Sequence, residues 1–170
     1  SSDLNDATYG WDVTRHQSDR RGTWSQVRAT LVKSARFPDP DQDQGQHQWN
    51  FRIVPDASVL EAVAAGQQIN LGEREVSGAP VDAPFSVDGA VVESVALAPD
   101  RSGDLVIRLY EAEGGPSRVT FRAPKAASVT ACDLRYRPSE SEPELRGGQG
   151  EWSFDLSAFQ ITTLRVSFAK

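Results

Sequence analysis

The side chains able to do chemistry in this 170-residue chain are few in kind: two histidines, His16 and His47, one cysteine, Cys132, and 24 aspartates and glutamates. A catalytic thiol needs a histidine beside it to form the thiolate. Cys132 instead sits in the alternating run SVTACDL and reads as a small buried side chain; with a single cysteine, no internal disulfide forms. A self-contained zinc site needs His or Cys ligands at close spacing. His47 has no such neighbour in sequence, and His16 stands among Arg15, Asp19 and Arg20 in what reads as an exposed loop. The run Asp39-Pro40-Asp41-Gln42-Asp43-Gln44-Gly45 alternates carboxylates as a calcium loop does. Gln44 and Asn50, however, stand where such a loop needs glycine and glutamate, so the run reads as a solvated acidic loop. Two carboxylates could hydrolyse a glycoside, but among 24 some pair always exists, and spacing selects none. Trp11, Trp24, Trp49, Trp152 and Tyr9 could stack on sugar rings. Trp49 and Trp152 fall on the apolar side of alternating runs and are expected in the core; Trp11 and Trp24 lie near loops and stay open between packing and binding.

The elements that would position these residues are strands. Apolar and polar residues alternate with period two at Val27–Leu31, Trp49–Ile53, Leu105–Tyr110, Arg118–Arg122, Trp152–Leu156 and Leu164–Phe168, with further candidates at Val91–Leu97 and Val129–Tyr136. Turn signals separate them: Pro99 to Gly103, Gly114-Gly115-Pro116 and Gly147 to Gly150. One helix is predicted, starting at Pro55-Asp56-Ala57-Ser58, with an apolar stripe of Val59, Leu60, Val63 and Ala64 and a stop at Gly66. Many short strands and one short helix predict a mainly β, antiparallel β-sandwich. The whole chain, 1–170, is expected to form one such domain, with a sub-lobe boundary near 72–90, where Gly78, Pro80 and Pro84 interrupt a weakly patterned stretch.

Composition narrows the function classes. The net charge of −6 speaks against nucleic acid and against anionic membrane surfaces. No apolar run approaches the ~20 residues of a membrane-spanning helix. The first ten residues lack the pattern of a signal peptide. No methionine is present, which is the expectation for a fragment, a processed chain or an engineered piece. Arginine outnumbers lysine 15 to 3, the bias of a GC-rich bacterial genome, and the expected location is the cytoplasm.

Three stretches resemble, in order, the C-terminal region of family 38 glycoside hydrolases, the α-mannosidases. Leu4-Asn5-Asp6-Ala7-Thr8-Tyr9-Gly10-Trp11-Asp12-Val13 resembles a strand and loop of that family, with Ala7-Thr8 where Ser-Lys is common. Leu31 to Phe51, with Phe37-Pro38-Asp39-Pro40 and Asp43-Gln44-Gly45-Gln46-His47, is similar to a second segment. Val106 to Glu111 with Gly114-Gly115, and then Leu156 to Leu164, resemble its closing strands.

The resemblance implies a β-sandwich of the galactose-mutarotase-like kind found at the C-terminus of these enzymes. It implies a larger retaining enzyme acting on α-linked mannosides through a divalent ion, usually zinc, with metal and nucleophile held mainly in an N-terminal catalytic domain. No cofactor is expected in this chain, and no catalytic residue. The partners implied are that N-terminal domain of the same chain and, in the parent, the mannoside. A face left uncovered in isolation also leaves room for a homo-oligomer. The residues expected at the cleft or the interdomain surface are Asn5, Asp6, Tyr9, Gly10, Asp12, Asp43 and His47. The same residues read equally well as loop hydrogen-bonding groups, and glycines 10 and 45 as backbone devices. From another class comes the alternative of an independent carbohydrate-binding module, and a third is a purely structural, adhesin-like domain.

Overall fold

The computed structural model describes residues 2–5, 10–72 and 75–169. The chain divides into two compact units, residues 1–74 and 75–170.

The first unit contains β1 (Ser2–Asn5), β2 (Gly10–Ser18), β3 (Gly22–Thr30), β4 (Phe51–Val54) and helix α1 (Val59–Asn70). β1 and β4 pair antiparallel with Asn5 opposite Phe51, and β2 and β3 form a hairpin with Gly10 opposite Thr30. The helix starts where a capping box starts it. The Glu61 N–H donates to Ser58 Oγ at 3.2 Å, and the Ser58 N–H donates to the Glu61 carboxylate at 2.8 Å. Gly66 does not stop the helix, contrary to expectation. Glycine inside a helix costs about 1 kcal/mol against alanine and does not by itself break it. The last turn is held instead by Asn70 Nδ2 donating to the Gly66 carbonyl (2.9 Å) and Arg52 Nη1 donating to Gln68 Oε1 (2.8 Å). Trp49 precedes β4 rather than opening it, and lies half-buried outside any strand.

The second unit is a β-sandwich of two four-stranded antiparallel sheets. It runs through β5 (Ser86–Asp88), β6 (Val91–Leu97), β7 (Leu105–Tyr110), β8 (Ser117–Arg122), β9 (Ala126–Cys132), β10 (Arg146–Gly148), β11 (Glu151–Leu156) and β12 (Ile161–Phe168). One sheet has the order β10-β11-β8-β5 and the other β6-β7-β12-β9. The alternating runs supply the inner faces: Val119 and Phe121 from β8 and Trp152, Phe154 and Leu156 from β11 meet Ile107 and Leu109 from β7 and Leu164 and Val166 from β12. Cross-strand pairs fix the register, Phe154 opposite Val119 and Leu164 opposite Ile107. The run from Val129 stops being a strand at Cys132. There the Asp133 carboxylate accepts the N–H groups of Arg135 (2.8 Å) and Arg137 (3.0 Å) and turns the chain. Cys132 is buried, and burial raises its pKa.

The two units differ in burial. Among the described residues, Ala65 is the buried apolar residue of the first unit, whereas the second holds the continuous cluster above. Phe154 is at 0% exposure at the centre of that cluster. Phe154→Ala is expected to cost about 3–5 kcal/mol, cavity included. Urea unfolding followed on the second unit measures it; a loss under 1 kcal/mol would show that this cluster does not hold the sandwich together.

Candidate functional site

The residues expected to form a site fall into separate places. Asp6 and Tyr9 lie outside the described residues, and of Asn5 only the pairing of its backbone with β4 is described. Gly10 is required by close approach: a Cβ there would stand 2.8 Å from Thr30 Cβ across the hairpin. Asp12 is committed within the hairpin. Its two oxygens accept from Thr14 Oγ1 (2.8 Å) and Arg28 Nη2 (2.7 Å), and the Thr14 and Arg28 bonds hold its pKa below the ordinary carboxylate value.

Asp43 and His47 do come together, but to close a loop. The Ser34 N–H donates to Asp43 Oδ2 at 3.1 Å, and His47 Nε2 donates to the Asp43 carbonyl at 2.9 Å. Because a carbonyl only accepts, Nε2 carries the proton in this bond. The imidazole stacks on Trp49, with centroids 5.3 Å apart and planes 21° from parallel. Asp39 closes a smaller turn in the same loop, its Oδ1 accepting the Asp41 N–H at 2.9 Å. The acidic run is therefore tied up in turns of its own backbone.

The two motif stretches of the first unit meet through apolar contacts. The Trp11 and Phe51 rings touch edge to face at 6.0 Å. Around them Val27, Ala29, Leu31, Arg52 and Ile53 line an open hollow of about 350 Å³. Alternation and register put Trp11, Val13, Val27 and Ala29 on one face of the hairpin. That face is uncovered: Val13 is 70% exposed and Ile53 69%. The opposite face is polar and carries, beside Asp12 and Arg28, an imidazole–indole stack of His16 on Trp24 at 4.1 Å, with His16 Nε2 3.2 Å from Gln26 Oε1.

In the second unit the most heavily bonded carboxylate is Glu111, which the site expectation omitted although it stands in the third motif stretch. It is 3% exposed. Its oxygens accept the N–H groups of Glu113 (2.6 Å), Gly114 (2.9 Å) and Phe159 (2.9 Å). The Phe159 N–H leads the groups that hold its pKa down, joined by those of Glu113, Gly114 and Gly115. Its own N–H donates to the Gln160 carbonyl at 3.0 Å. Gly114 makes room for the arrangement. Its φ is +79°, and a Cβ there would lie 2.8 Å from the Phe159 ring. The signal in the sequence was a glutamate directly after an alternating strand and three residues before a Gly-Gly pair, which reads as a turn anchor once the turn is known. An anion fixed in this way is an anchor, not a proton donor.

A second charged clasp binds the turn between β6 and β7. Arg165 donates from Nη2 to Asp100 (2.6 Å) and from Nε to Asp104 (2.7 Å). Hydrogen bonds from Ser102 and from Arg165 lower the Asp100 pKa to about 2. Among the described residues, no three His, Cys, Asp or Glu side chains converge as a metal ion would require.

Residues 89–164 match the family model of the glycosyl hydrolases family 38 C-terminal beta sandwich domain. The matched span covers most of the sandwich of the second unit. The matched span contains Glu111 and both turns that it binds, whereas the motif stretches at 4–13 and 31–51 lie outside it. No curated protein matches the chain.

Two outcomes are expected. Glu111→Gln should speed amide exchange at Gly114 and Phe159 and lower the thermal midpoint, because an amide presents one acceptor oxygen and a repelling NH₂ to three donors; unchanged exchange would refute the anchoring role. Acid should weaken the sandwich through the Arg165 clasp. A carboxylate whose folded pKa is depressed contributes stability that is whole above its unfolded pKa of about 3.9 and disappears as pH falls through the folded value. Between about pH 4 and pH 2, therefore, the wild type should lose stability with a slope that Arg165→Met flattens. Equal slopes in the two proteins would remove the clasp from the account.

Proposed function

We propose that the chain is the accessory C-terminal part of a retaining α-mannosidase that releases terminal α-linked mannose. It supports a catalytic part elsewhere in the same polypeptide and carries no chemistry itself. The observation that carries this reading is the family 38 match over the sandwich. Two features of the first unit support it. Its motif stretches resemble the same family, and its hairpin leaves Trp11, Val13, Val27 and Phe51 uncovered, the kind of face that a larger apolar surface covers. In this reading the catalytic part holds a divalent ion, zinc by family resemblance, and the parent works in a bacterial cytoplasm. Asn5, Asp6, Tyr9, Gly10, Asp12, Asp43 and His47 then shape the loops that face the catalytic part or its cleft.

A second reading rests on the His16–Trp24 stack, whose half-exposed indole lies beside Asp12, Arg28 and Gln26 on one strand face. An aromatic face flanked by hydrogen-bonding groups suits a sugar ring, and a chain with that site alone would be a carbohydrate-binding module.

One set of measurements separates them. The isolated chain with an aryl α-mannoside and zinc is expected to release no aryl alcohol, and clear turnover would sink the accessory reading. Calorimetry with mannose and mannobiose at millimolar concentration is expected to show no heat of binding. Binding that Trp24→Ala abolishes would establish the module instead.

A further inference from the structure

Sheet edges are where a β-protein is open to association, because their N–H and C=O groups are unpaired, and native sheets blunt them. The sandwich has four edges. β5 and β10 are three residues long, too short to template another strand. β9 is seven residues long, but the segment 138–145 returns beside it. Pro138 bridges to Cys132, Glu142 accepts the Thr162 hydroxyl at 2.8 Å, and the segment shares a hollow with Val129 to Ala131. β6 is seven residues long and lies at the end of its sheet. Its first part is blunted by the irregularity between Val92 and Ser94 and by the charge of Glu93. The stretch from Ser94 to Leu97 has neither device.

That stretch is also apolar on the wrong side. Val95 lies opposite Ile107 and Leu97 opposite Leu105, so both point to the face that packs the core. Ile107 is at 0% exposure, yet Val95 is 48% exposed and Leu97 69%. The opposing sheet does not reach them.

We propose that the β6 edge is a self-association site: two copies of the chain pair β6 to β6 antiparallel about a two-fold axis at Ala96. In that register Val95 of each copy faces Leu97 of the other on the core side, and Ala96 faces Ala96 on the outer side. Aliphatic pairs of this kind stabilise cross-strand contacts. No charge meets its like, because Glu93 falls beyond the irregularity. The register suits the chain's own copy because both apolar pairs are satisfied by the same two residues used twice. Four residues a side bury less than the ~1,200–2,000 Å² of a standard interface, so the dimer is weak and concentration-dependent. The inference does not depend on which function the chain serves.

Sedimentation equilibrium of the 170-residue chain tests it. Between about 10 µM and about 1 mM, the range of weak association, the mass should climb from 18.5 kDa towards twice that value. Leu97→Lys, at an exposed position and therefore tolerated, should hold the monomer mass throughout, while Ile53→Lys on the other apolar face should associate as the wild type does. Hydrogen exchange of the wild type gives a reading without a variant: amides 94–97 should slow as concentration rises. A monomer at the top of the range overturns the proposal. So does association that Ile53→Lys abolishes and Leu97→Lys does not, or exchange at 94–97 that ignores concentration.

Discussion

One carboxylate ties two turns of the sandwich together. The chain crosses between the two sheets from β7 to β8 and again from β11 to β12, and these four are the central strands of their sheets. Glu111 stands at the first crossing and accepts N–H groups from both turns, Glu113 and Gly114 on one side and Phe159 on the other. Such bonds to an ionised acceptor are about twice as strong as neutral ones. They also satisfy N–H groups that a turn cannot pair within itself. Holding the two crossings together fixes where the inner faces meet, and hence the pairing of Ile107 with Leu164 across one sheet and of Val119 with Phe154 across the other. The apolar cluster supplies most of the free energy; the carboxylate supplies the alignment.

That division explains what could be read from residues alone. The core was legible because a half-buried strand has no freedom in which side it turns inward. Phe121, Trp152, Phe154 and Leu164 follow from alternation without reference to any partner. The helix start was legible for the same local reason, since Pro55-Asp56-Ala57-Ser58 marks it within four residues. Its end was not, because the contact from Arg52 to Gln68 spans 16 residues of sequence. Trp49 misled because alternation cannot tell a strand from an irregular run that stacks an aromatic ring on a histidine. Glu111 was visible only as part of a motif. Its donors at Phe159 come from 48 residues further on, and nothing in the local sequence marks that distance.

The site residues were the least legible part, and for a physical reason. Asp12, Asp43 and His47 are polar groups near turns, a type that serves binding and loop closure equally well. The partners that the structure gives them lie within the same hairpin or loop. Asp12 lies in a cross-strand pair with Arg28, and Asp43 and His47 bond one another through a backbone carbonyl. The family resemblance pointed to these loops without saying what they do. In the first unit their surroundings are as much apolar as polar: Trp11 against Phe51, with the surrounding aliphatic face open.

The electrostatics bear on the division of labour proposed for the parent enzyme. Glycoside hydrolysis needs one carboxyl group kept protonated near neutral pH, which takes an apolar pocket or a neighbouring negative charge to push its pKa upward. The described carboxylates with shifted pKa values, Asp12, Glu61, Asp100, Asp104, Glu111 and Asp133, are all shifted down. In each case the cause is a hydrogen bond from a backbone N–H, a hydroxyl or an arginine. These environments stabilise the charged form and use it to hold a turn, a cap or a strand pair. A domain built in this way places these six carboxylates in structural service.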